Sequence, residues 1–95
     1  MSDIIYAAIG LIRAGRRGQG PRLLAQEFPA VSSDEMTRVF DTAEAAWARA
    51  TDIAQLHRNN VITPEAALAK LRELLPGLDA SRIQTLLAHA MFDAR

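Results

Sequence analysis

A chain of 95 residues with 49% apolar content suits a single folded domain and is too hydrophobic for a disordered tail. Eleven basic and eleven acidic residues cancel, which argues against a strongly basic nucleic-acid binder or a lysine-rich membrane-surface protein. Cysteine is absent, so disulfides and thiolate sites are excluded and redox chemistry does not fix the compartment.

Eighteen of the 47 apolar residues are Ala, the best helix former, while Val occurs three times. We therefore expect an all-α fold. The apolar run 4–12 is far too short to span a bilayer. Asp3 stands where a signal peptide would carry Lys or Arg. A cytoplasmic protein without a membrane segment is expected.

In chain order, Ser2 or Asp3 caps a first helix whose apolar face is Ile5, Ala8, Ile9 and Ile12, at helical spacing. It ends in the segment 14–20, where Gly15, Gly18 and Gly20 permit backbone angles that a helix does not use. Pro21 fits the first position of a short second helix over 22–28, and Pro29 stops it. Ser32 and Glu35 form a capping box for a third helix. Its stripe is long: Met36, Val39, Phe40, Ala43, Ala46, Trp47, Ala50, Ile53 and Ala54, ended by Asn59 and Asn60. From 33 to 58 that helix would run about 39 Å, against a diameter of roughly 32 Å for a compact globule of this length. Either it breaks at Thr51 and Asp52 or the molecule is elongated, and an uninterrupted helix is the expectation.

Thr63, Pro64 and Glu65 open a fourth helix with Ala67, Leu68, Leu71, Leu74 and Leu75 on its face. Pro76-Gly77 breaks it. Asp79 caps a fifth helix with the stripe Ile83, Leu86, Leu87, Ala90, Met91 and Ala94.

A shift of 47 residues aligns Leu24 with Leu71, Pro29 with Pro76 and Ala43 with Ala90. It also lays Phe28, Val31, Met36, Val39 and Phe40 on Leu75, Leu78, Ile83, Leu86 and Leu87. Duplication, or two hairpins obeying the same physics, would each give this pattern. The predicted architecture is one helical domain over 1–95, about five helices, with two similar hairpins (approximately 2–45 and 52–94) bridged by the long central helix.

Little here carries catalytic chemistry. No Ser or His sits in a nucleophile elbow, and Ser32 and Ser33 read as capping residues. His57 and His89 have no second ligand at a metal-binding interval on the same helix face. No catalytic residue, metal or cofactor is expected. Arg13, Arg16, Arg17 and Arg22 cluster without an acid between Asp3 and Glu27. With the following helix N-terminus they suit an anionic protein patch or a phosphate, or else form a solvated connector. The segments 24–28 and 38–40 invite a helix-turn-helix reading, against which stand Asp34 and Glu35 at the start of the recognition helix and Pro29-Ala30-Val31 in the turn.

Residues 71–95, from Leu71-Arg72-Glu73-Leu74-Leu75-Pro76-Gly77-Leu78-Asp79 through Leu86-Leu87-Ala88-His89-Ala90-Met91-Phe92-Asp93-Ala94-Arg95, resemble the helical C-terminal tail of Mu-like bacteriophage portal proteins. The resemblance covers about a quarter of the chain on a Leu/Ala pattern and transfers no functional residue. It implies a phage or prophage origin and a role in assembly or host interaction. Small phage proteins that block a host machine, anti-CRISPR proteins among them, are often of this size.

The reading of the sequence is thus a non-enzymatic helical module for protein–protein interaction or assembly. Its partner is a protein, or the chain itself as a homodimer through the long apolar stripe. The contact candidates are Arg13, Arg16, Arg17, Arg22 and Trp47. The alternative is a helix-turn-helix DNA-binding regulator.

Overall fold

The computed structural model describes the backbone of residues 2–93 and the side chains of 3–93. Five helices and no strand occur among them: α1 (Ser2–Arg13), α2 (Gly20–Glu27), α3 (Ser33–Arg58), α4 (Pro64–Leu74) and α5 (Ala80–Asp93). The fold is all-α, and α3 runs without a break through Thr51 and Asp52. No described helix is long and apolar enough to cross a membrane.

The helix ends follow from local chemistry. Glu35 N–H donates to Ser32 Oγ at 3.2 Å, and the Ser32 hydroxyl donates to Glu35 Oε1 at 3.2 Å, so the expected box forms through the hydroxyl. Ala66 N–H donates to Thr63 Oγ1 at 3.1 Å and Arg82 N–H to Asp79 Oδ1 at 2.8 Å, which starts α4 and α5. At the other end of α1, Gly15 N–H donates to Ile12 O and Arg16 N–H to Leu11 O. At the end of α3, Asn60 N–H donates to His57 O and Val61 N–H to Leu56 O. Both are Schellman stops, with Gly15 at φ 75 and Asn60 at φ 61 supplying the left-handed residue.

The chain divides into two compact units, Met1–Ala45 and Ala46–Arg95. Unit 1 holds α1, α2 and the 33–45 part of α3, and α1 packs on α2. Unit 2 holds the 46–58 part of α3 with α4 and α5, and α4 packs on α5. Each holds three helical segments whose apolar stripes are buried. In unit 1 the buried set includes Ile4, Ile5, Ala8, Ile9, Leu24, Met36, Val39, Phe40 and Ala43. In unit 2 it includes Ala50, Ile53, Ala54, Ala67, Leu71, Leu75, Ile83, Leu86, Leu87 and Ala90. Ala94, placed on the last stripe by its spacing, lies outside the described residues.

The repeat is deeper than the hairpins. Phe28 closes α2 at φ −126, ψ 69, and Leu75 closes α4 at φ −129, ψ 72. Each donates its N–H to the Leu four residues earlier, and the caps Ser32 and Asp79 follow at the same distance. A shift of 45 residues then lays α1 on the second half of α3. Ile5, Ala8 and Ile9 fall on Ala50, Ile53 and Ala54, all buried, and the two Schellman stops coincide. The long helix is therefore the third helix of one repeat continued into the first helix of the next.

Two local expectations are corrected. The second helix begins at Gly20 rather than Arg22 and ends at Glu27 rather than Phe28. Among the three loop glycines only Gly15 takes a left-handed angle. Gly20 is a buried helical residue whose missing side chain makes room for the Phe40 ring.

Candidate functional site

An apolar concavity lies in unit 1 between α1 and α3. Ile4 and Ile5 come from α1, Val31 from the link, and Val39 from α3; Glu35, Arg38 and Thr42 form the α3 rim of a cleft of about 440 Å³. Val31 is held there because its N–H donates to Phe28 O at 3.2 Å, a turn set by the break at Pro29. Glu35 is fixed at the rim by the Ser32 hydroxyl. Ile4 is 5% exposed and Val39 5%, so the floor is narrow, while the rim residues are exposed. Such a cleft suits an apolar anchor with polar groups placed beside it.

The arginines expected to meet a partner have divided roles. Arg17 Nε donates to Glu44 Oε1, Arg17 Nη2 lies 3.5 Å from Asp41 Oδ1, and its guanidinium carbon sits 5.1 Å from the Phe40 ring centroid. The anionic patch met by this arginine is the chain's own α3. Arg16 donates to Gln19 Oε1 at 3.4 Å and stays exposed. Arg22 is exposed beside a shallow hollow with Pro21, Ala25 and Met36, and Arg13 is half-buried at the end of α1. Four loop amides are already engaged: the Gly15, Arg16, Gln19 and Gly20 N–H groups donate to carbonyls within 11–17.

Trp47 is half-buried. Its stripe neighbours Ala43, Ala46 and Ala50 are buried, so these alanines are not the open face from which self-association was expected. The exposed side of α3 in unit 1 carries Asp34, Glu35, Asp41 and Glu44 against one base, Arg38. Asp41 and Glu44 are paired with Arg17, which leaves Asp34 and Glu35 as the carboxylates that would meet phosphate at the start of a recognition helix.

Hydroxyl groups are engaged in backbone chemistry. Thr37 donates to Ser33 O, Thr51 to Ala48 O and Thr85 to Ser81 O. Among the described residues no group of three or more His, Asp or Glu side chains is arranged to hold a metal. His89 is exposed; His57 is half-buried with its Nδ1 atom buried and unpartnered among the described residues.

Unit 2 has a different concavity, of about 400 Å³, between its part of α3 and α4. Arg49, Asp52, Ile53 and Leu56 face Lys70, Glu73 and Leu74 there. Neither concavity was singled out from the sequence. The spacing of Arg49, Asp52, Ile53 and Leu56 on one helix face was the available signal. Compared with known proteins, the chain matches no family model, no curated protein and no solved structure.

Proposed function

We propose that this chain is a non-enzymatic helical interaction module that seats an apolar side chain of a protein partner in the α1–α3 cleft of unit 1. The cleft itself carries the reading: its floor of Ile4, Ile5, Val31 and Val39 is apolar, and Glu35 and Arg38 stand one helical turn apart on its rim. That order selects a segment with an aliphatic or aromatic anchor flanked by one basic and one acidic group, the complement of the rim. Arg16 and Arg22, exposed on the same unit, add positive charge for acidic groups farther along the partner. The likeness of 71–95 to portal tails supports a phage or prophage setting, in which a module of this kind would act in assembly or on a host protein machine.

The test is quantitative affinity capture from the native host with the wild-type chain and with an Arg38→Glu/Thr42→Lys variant. Both positions are exposed, so thermal melts of the two proteins should coincide. A protein held at fixed stoichiometry by wild type and lost by the variant is the expected result. Identical capture by both proteins, or a salt-dependent shift of duplex DNA with no protein partner, would overturn the reading.

A further inference from the structure

We propose that the α3–α4 groove of unit 2 is the contact face of a symmetric homodimer. The groove combines an apolar floor with a charge pattern that is complementary to itself. Its floor is Ile53, Leu56 and Leu74, and Leu56 is 39% exposed, one of the exposed large apolar side chains with Val61 and Phe92. Its α3 wall carries Arg49 and Asp52, and its α4 wall Lys70 and Glu73, one charge of each sign per wall. Among the described residues none of these four is held in an ion pair.

The link between α3 and α4 is short, residues 59–63, which makes the two helices antiparallel neighbours. Arg49, farthest from the link on α3, is then level with Glu73 near the end of α4, and Asp52 is level with Lys70. A two-fold axis running along the groove lays α3 of one copy over α4 of the other. Arg49 then faces Glu73 of the second copy and Asp52 faces its Lys70, and the symmetry repeats both pairs. Leu56 is covered in the process. The zero net charge of the chain means that no long-range repulsion opposes the association.

The three-helix repeat does not require this quartet. At the equivalent positions unit 1 carries Ile4 and Ala7 on α1, and Leu23 and Gln26 on α2. The same architecture is therefore built there without any of the four charges. Their presence in unit 2 alone, around an exposed leucine, is what a contact surface would need and a fold would not. This inference is independent of the unit 1 cleft.

Sedimentation equilibrium on the full chain, from micromolar to submillimolar concentration, should show a species of twice 10.4 kDa. Arg49→Glu alone and Glu73→Arg alone should each weaken it by about tenfold or more, since each places like charges opposite one another twice. An equimolar mixture of the two variants should restore dimer, because the heterodimer regains opposite charges at both places. Asp52→Lys and Lys70→Asp provide a second exchangeable pair if either first variant folds poorly. A wild-type chain that stays monomeric throughout would overturn the proposal. So would single variants that dimerise as well as wild type, or a mixture that fails to recover.

Discussion

A Cβ atom built on Gly20 would lie 2.4 Å from both Cε1 and Cζ of Phe40. Phe40 is wholly buried, so its ring has little room to retreat. Under the 47-residue repeat the counterparts in unit 2 are Ala67 and Leu87, both buried. The two units thus use glycine with a phenyl ring in one case, and alanine with the smaller leucine in the other. Gly20→Ala should destabilise by about 1–3 kcal/mol through overpacking. Combined with Phe40→Leu, which reproduces the unit 2 pair, the double variant should lose clearly less than the sum of the singles. Urea melts of the four proteins in this cycle check it, and strict additivity would mean that the two positions do not compensate.

Arg17 and Arg16 should behave differently despite being neighbours. Arg17 makes two partly exposed ion pairs and a cation–π contact, which together are worth about 1 kcal/mol after solvent screening. Arg16→Ala should stay within about 0.5 kcal/mol of wild type. Added salt should shrink the Arg17→Ala deficit, because its ion-pair part is screened. Thermal melts at low and high salt read both effects.

Core truncations should rank by burial. Phe40→Ala should cost about 3–5 kcal/mol and Leu87→Ala about 2–5 kcal/mol, from lost transfer energy and the cavity left behind. Trp47, half-buried, should cost less than Phe40 when truncated. A Trp47→Ala chain that melts as early as Phe40→Ala would make the tryptophan an ordinary core residue.

His57 occupies the position that Ile12 holds in unit 1, and its Nδ1 atom is buried without a partner among the described residues. An unsatisfied buried polar atom carries a desolvation penalty that an apolar side chain of similar size avoids. His57→Leu should therefore raise stability by about 0.5–1 kcal/mol. Denaturant titration gives the sign directly, and a loss would reveal a hydrogen bond made in solution.

How far the sequence speaks depends on how local the cause is. Ser32, Thr63 and Asp79 announce their helices because each cap bonds to an amide three residues away. Pro29 and Pro76 mark their breaks for the same local reason. Arg17 read as a contact for an outside partner, or a solvated connector, because Glu44, its partner within the chain, is 27 positions away on another helix. Gly20 looked like a turn residue because the ring that excludes its side chain belongs to residue 40. The kinship of α1 with the second half of α3 escaped a single offset, since it runs at 45 residues while the hairpins run at 47. The cleft was invisible for a related reason: Ile4, Val31 and Val39 meet only after three segments pack.

The claim that the unit 1 cleft is where a partner binds is tested most directly by position-specific crosslinking. Thr42 stands on the cleft rim, and His89 is its exposed counterpart in unit 2 under the 47-residue repeat. A photoreactive side chain placed at 42, in the native host, should give one discrete adduct with a protein that the Arg38→Glu/Thr42→Lys variant fails to capture. The same group at 89 should leave that protein unlabelled. Equal labelling from 42 and 89, or labelling from 89 alone, would contradict the assignment of the cleft as the partner site.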